Sequence, residues 1–190
     1  MKTIKILDFL KTGHLGDVHL GMTIPEVIAV LGQPTEQYQL RNGFLLAYGG
    51  WEIHFAQESP HKAFLIHHDE LVYDCTNHDE VIRFENEHFA LDLGIIKPFT
   101  QVRVKEVKQW LDAAQITYHI EPKEGQPLMK LNSGVYLDFL DVEPVVPEVG
   151  VHACPGKNLE LQQNTEKIAM IDDFVLYTIG IFRSPRGQLS

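Results

Sequence analysis

Cysteine is scarce in this chain: only Cys75 and Cys154 occur among 190 residues. Two thiols are too few for the disulfide framework of a small secreted fold. Two reduced cysteines is the simpler reading, with a single bridge left open. Basic charge is scarce as well. Sixteen Lys and Arg face twenty-six Asp and Glu, a formal net charge of −10. Nucleic-acid surfaces draw their affinity from Lys and Arg displacing counterions, so no nucleic-acid partner is expected. No apolar run approaches the roughly 18 residues of a membrane-spanning helix. Lys2 and Lys5 are followed only by Ile6-Leu7 before Asp8 intervenes, which is short of a signal peptide's roughly 7–15 apolar residues. A cytoplasmic protein with no membrane partner is the expectation. G-x-S-x-G, Walker A and G-x-G-x-x-G elements are also missing, and Gly13-His-Leu-Gly16 reads as a turn.

What is present is globular composition, 44% hydrophobic and 22% charged. A chain of this length buries roughly 70% of its unfolded surface and needs no metal or disulfide to hold a core. The strongest local signal is Thr23-Ile-Pro-Glu-Val-Ile-Ala-Val-Leu-Gly32. Thr23 and Glu26 form a capping box, and Pro25 sits in the first turn, where its missing N–H is harmless. Ile24, Val27, Ile28 and Leu31 follow the i, i+3, i+4, i+7 spacing of one buried helix face. Gly32 and Pro34 end the helix.

Strand patterns follow. Phe44–Tyr48 is a compact apolar run, Gly49-Gly50 supplies a tight turn, and Trp51-Glu-Ile-His-Phe55 alternates strictly. Ala63–Ile66 and Leu71–Tyr73 read as two further strands around the polar turn His67-His68-Asp69-Glu70. The later half repeats this plan. Val102–Ala114 is helical, with Glu106-Val107 and Trp110-Leu111 in the places of Glu26-Val27 and Val30-Leu31, and Tyr118 matches Tyr38. Gly134-Val-Tyr-Leu-Asp-Phe139 matches Gly50-Trp-Glu-Ile-His-Phe55. Lys167–Asp172 then answers Lys62–His67, and Phe174–Phe182 closes the series as a long strand.

The common order of these matches predicts an α+β fold. It is a tandem repeat of a helix plus a four-stranded antiparallel meander, with the helices packed on one face of the sheet. The first repeat covers 1–90 and the second 91–190, joined near Phe84–Phe99, either as two units or merged into one domain. The second carries an insertion, Asp141–Asn164, with three prolines and several valines. Loops of that length are usually functional or disordered, and this apolar one is expected to pack on the body or on a partner.

Val18-His-Leu-Gly-Met-Thr23, Val27 and Leu31-Gly32-Gln33-Pro34 resemble the repeat motif of the SmpA/OmlA and beta-lactamase-inhibitor-protein superfamily. That motif opens a helix on Gly-Met-Thr/Ser and closes it on Leu-Gly-x-Pro. The resemblance covers Val18–Phe55 clearly and Val102–Phe139 in outline. It implies a non-catalytic fold whose sheet face grips another protein. The lipoprotein branch has a lipidated Cys and the secreted inhibitors are disulfide-stapled. This chain shows no such lipidated Cys, and its two cysteines stand at positions unrelated to those staples, so outer-membrane assembly and beta-lactamase inhibition are not carried over.

Ten histidines raise the question of a metal. Zinc sites want pairs such as C-x₂₋₄-C or H-x₃₋₅-H, and only Cys75-x-x-His78 comes close, in a polar stretch beginning at His67. A solvated loop is the commoner outcome, and neither metal nor cofactor is expected. His152 and Cys154 are near neighbours in sequence, whereas catalytic groups meet in space. Asp172-Asp173 falls at a turn, where Asp bonds its own backbone. The alternation instead nominates a face. With Trp51, Ile53, Phe55 and Val135, Leu137, Phe139 turned toward the helices, Glu52, His54, Tyr136 and Asp138 share the outer side. Polar-out alternation is also the ordinary state of a half-solvated sheet. From the loop, Glu148 and His152 join these as partner-contact candidates. The leading expectation is a non-enzymatic, acidic module of inhibitor or toxin-immunity type that binds a basic protein. The alternatives are a metal-dependent enzyme or small-molecule binder using the His67–His78 region and the 141–164 loop, and homo-oligomerisation through the sheet face or the loop.

Overall fold

A computed structural model describes residues 1–69, 71, 82, 84–97, 101–141 and 171–183. The chain opens with a short strand, β1 (Lys2–Lys5), that runs directly into a helix, α1 (Ile6–Thr12). Ile6, Phe9 and Leu10 lie at i, i+3 and i+4, and all three are fully buried. Gly13 ends α1 in the left-handed region at φ +73°, its N–H returning to the Phe9 carbonyl at 2.7 Å. The next helix, α2 (Ile24–Leu31), starts as its sequence predicts. The Glu26 carboxylate accepts both the backbone N–H and the hydroxyl of Thr23, each at 2.7 Å.

Four strands follow: β2 (Glu36–Leu40), β3 (Gly43–Tyr48), β4 (Trp51–Ala56) and β5 (Ala63–His68). A short strand, β6 (Phe89–Asp92), pairs in parallel with β1. After it come α3 (Val104–Ala113), β7 (Tyr118–Lys123), β8 (Gln126–Leu131) and β9 (Val135–Leu140). A 3₁₀ turn (Ile171–Asp173) then leads into β10 (Val175–Phe182). Eight strands make one antiparallel sheet in the order β2-β3-β4-β5-β10-β9-β8-β7. The α3 cap is half a capping box: Glu106 accepts the Arg103 N–H at 2.7 Å, and Arg, a donor only, returns nothing.

The fold is therefore mixed α+β with a large antiparallel sheet, as the patterns predict at that level. Gly49-Gly50 turns β3 into β4, with Tyr48 opposite Trp51. Trp51, Ile53, Phe55, Val135, Leu137 and Phe139 are all at most 1% exposed. They join one core cluster with Phe9, Leu10, Val27, Leu31, Val104, Val107 and Leu111. The Phe9 ring meets Trp51 edge-on at 5.5 Å.

Three local expectations differ from the structure. β5 continues through His68, so the polar run His67-His68 is strand rather than turn. Leu71 lies outside any strand, although its N–H donates to the Tyr177 carbonyl at 3.1 Å; the remainder of Leu71–Tyr73 falls outside the described residues. Of Lys167–Asp172, only Ile171 and Asp172 are described, and they belong to the 3₁₀ turn. There the carboxylate of Asp172 accepts from Lys108 at 2.6 Å, while β10 takes the position beside β5.

Tyr48 yields a first prediction. It is buried, and its hydroxyl donates to the Gly32 carbonyl at 3.0 Å, tying β3 to the end of α2. Tyr48→Phe is expected to cost about 1 kcal/mol in urea unfolding at neutral pH. Burial pushes the phenol up to about 12, above the roughly 10 of an unfolded tyrosine. Between those values the unfolded chain loses this proton and the native chain keeps it, so native stability falls as pH rises. Urea melts across that window should show a shallower decline for Tyr48→Phe. An unchanged slope would mean that the hydroxyl is not held in this way.

Candidate functional site

Strand alternation places every second side chain of β4 and β9 on the side of the sheet opposite the core. Glu52, His54, Tyr136 and Asp138 stand there, all half-buried, as the alternation predicts. The register adds what alternation alone cannot. Glu52 lies opposite His67, His67 opposite Gly180, and Gly180 opposite Tyr136, with Lys130 beyond on β8. One row thus crosses β4, β5, β10, β9 and β8 on the outer face.

At one end of this row three side chains converge. His54 Nε2 is 2.8 Å from Glu52 Oε2 and 3.1 Å from His67 Nε2, and His67 Nε2 is 3.2 Å from the same Oε2. Side-chain exposure is 34% for Glu52, 18% for His54 and 13% for His67, so the cluster is largely but not wholly shielded from solvent. Burial pulls the His54 pKa down, and the His67 charge acts in the same direction. The Glu52 hydrogen bond and the charges of Glu52 and Asp69 oppose this without overcoming it. His54 is therefore held toward its neutral, lone-pair-bearing form.

In the middle of the row, Gly180 gives Tyr136 its place. A Cβ at position 180 would lie 2.7 Å from the Tyr136 hydroxyl and 2.8 Å from His67 Cβ. The tyrosine ring thus reaches across β10 toward the histidine cluster in space that only glycine leaves. Burial raises the Tyr136 pKa, and the nearby Asp138 and Asp69 carboxylates add to that shift. Farther along, Asp138 accepts from Lys123 at 2.7 Å and Lys130 pairs with Glu121. The β7–β8 end thereby carries two lysine–carboxylate pairs, while at the other end Glu52 faces the two imidazoles.

The outer face thus unites Glu52, His54, Tyr136 and Asp138 and adds His67 and Gly180, which the sequence reading did not place there. An isolated glycine inside the apolar strand Val175–Phe182 was the available signal, because it marks a close approach of neighbouring groups. Glu148, His152, Cys75, His78 and Cys154 lie outside the described residues. Chemically, the cluster offers one carboxylate oxygen and two imidazole nitrogens aimed at a common point, with a phenol beside them. No helix among the described residues is long and apolar enough to cross a membrane. No family profile matches the chain, and neither curated proteins nor solved structures yield a match.

Proposed function

We propose that the chain is a non-enzymatic protein-binding module of inhibitor or toxin-immunity type. In this reading it is a tandem repeat of a helix plus a four-stranded meander, and its outer sheet face contacts a basic partner. The strand order supports the repeat. β2–β5 and β7–β10 are each a four-strand series preceded by a helix, and they meet at β5–β10. In each series the third strand alternates in the same way, Trp51–Ala56 and Val135–Leu140. The resemblance of Val18–Thr23 and Leu31–Pro34 to the SmpA/OmlA and beta-lactamase-inhibitor-protein superfamily points the same way.

One observation carries the binding reading: the row Glu52–His67–Gly180–Tyr136 gathers a carboxylate, an imidazole and a phenol on one continuous sheet face, with His54 and Asp138 beside it. Half-buried tyrosines with one polar end are frequent anchors in interfaces. The net charge of −10 favours a basic partner and speeds encounter with it.

The test is a partner captured from the source organism, purified, and titrated against defined variants. Tyr136→Ala is expected to weaken binding roughly 30-fold, a loss of about 2 kcal/mol. Because the ring is half-buried over Gly180, Tyr136→Phe accompanies it and separates lost packing from the lost hydroxyl. Glu52→Gln should lower the association rate and its salt dependence. Wild-type affinity in both Tyr136 variants, together with loss of binding on shortening 141–164, would move the site to that loop. Self-association as the only interaction found would replace the partner with a second copy.

A further inference from the structure

The contacts among Glu52, His54 and His67 exceed what hydrogen bonding can supply. Three pairs of atoms lie within 3.2 Å, yet each Nε2 carries at most one proton and the carboxylate normally none. Two protons serve at most two of the three contacts. A cation seated just out of the plane of the triangle serves all three at once. Tetrahedral zinc with bonds of about 2.0–2.1 Å sets neighbouring ligand atoms about 3.3–3.4 Å apart. The observed separations of 2.8, 3.1 and 3.2 Å need to open by about 0.1 to 0.6 Å to reach that geometry.

We propose that Glu52 Oε2, His54 Nε2 and His67 Nε2 bind a borderline divalent transition metal, Zn2+ in the first instance, on the outer face of the sheet. The backbone organises these ligands in advance. Glu52 and His54 are two residues apart on β4 and share a face, and His67 is the direct cross-strand neighbour of Glu52. Ligands on paired strands lose little freedom on binding, which favours affinity. Two imidazoles and one carboxylate suit zinc, cobalt, nickel and copper far better than magnesium or calcium. The carboxylates of Glu52 and Asp69 supply the attracting field. Three protein ligands would leave a fourth position for water or an incoming side chain. The site belongs to this chain alone and does not require that the face bind a protein.

The experiment uses the full chain freed of metal by chelation. Isothermal titration with ZnCl2 is expected to give one ion per chain at micromolar affinity or tighter. Co2+ should give the intense visible bands of a tetrahedral site, and MgCl2 at equal concentration should give no signal. His54→Ala and His67→Ala are each expected to weaken Zn2+ binding at least 100-fold, and Glu52→Gln at least tenfold, because even groups that only orient metal ligands are worth roughly 10–100-fold. Zn2+ should also raise the melting temperature of the wild type and leave that of the double histidine variant unmoved. Should an alanine variant fail to fold, His54→Gln and His67→Gln keep the sheet's polar contacts and answer the same question. Cys75→Ser is expected to bind as the wild type does. Zn2+ binding that survives loss of both histidines, that disappears with Cys75, or that is absent from the wild type would overturn the site.

Discussion

Phe9→Ala is expected to lower the unfolding free energy by about 3–5 kcal/mol, the usual range for a fully buried phenylalanine. Phe9 is 0% exposed, and its ring stands edge-on to Trp51 at 5.5 Å. Truncation removes the transfer free energy of the ring and an aromatic contact, and it opens a cavity under β4. The surroundings have little freedom to close that cavity. On one side β4 is held in an eight-stranded sheet, and on the other α1 is tethered by β1 pairing with β6. Leu7 on the same helix is only half-buried, so Leu7→Ala should cost distinctly less. Urea unfolding of the two variants checks the ordering. A cost below about 1 kcal/mol for Phe9→Ala would mean that α1 does not dock on the sheet in solution.

A loss of similar size, about 3 kcal/mol or more, is expected for Gly43→Ala at the first residue of β3. Gly43 has φ +151°, and a Cβ placed there would lie 2.0 Å from the Phe55 carbonyl oxygen. The obstacle is backbone of the neighbouring strand, not the end of a flexible side chain, so either β3 or β4 must shift. Gly125 is a useful comparison: its φ is +85°, and nothing lies within 4 Å of the added carbon. Gly125→Ala should therefore cost only the left-handed backbone penalty, about 1–2 kcal/mol. The difference between the variants isolates the steric part. Gly43→Ala should also disturb the outer face, because Phe55 follows His54 on β4. Equal costs at the two glycines would show that the strands yield more easily than their pairing implies.

Much of this molecule was legible where local chemistry decides structure. The Thr23/Glu26 cap, Pro25 and Gly32 delimit α2 without help from the rest of the fold. Gly49-Gly50 and the alternation from Trp51 to Phe55 do the same for the β3–β4 hairpin. α1 carries its own signal in Ile6, Phe9 and Leu10 at i, i+3 and i+4, but in a helix of only seven residues that spacing is too short to stand out. β2 leaves a fainter trace: Tyr38 and Leu40 alternate with Gln37 and Gln39, but the pattern is short and all five residues are exposed, so pairing with β3 defines the strand. Glu52 and His54 followed from period two. His67 did not, because a polar run reads as a turn until the register with β4 is known. Tyr136 and Gly180 become neighbours of that cluster only through pairing between distant strands, which no local pattern encodes.

The junction between β5 and β10 also sets an order of events for folding. His67 and Gly180 pair although over a hundred positions separate them, whereas Glu52, His54 and His67 sit on a single β4–β5 hairpin. Local hairpins close in microseconds, but contacts of long sequence separation must first overcome loop-closure entropy. The histidine–carboxylate cluster is therefore expected early in folding and the Tyr136 row late, because the row is complete only when β10 has paired with both β5 and β9. Until then β5 and β9 both present open edges, and the unfinished chain is at its most prone to pair with copies of itself.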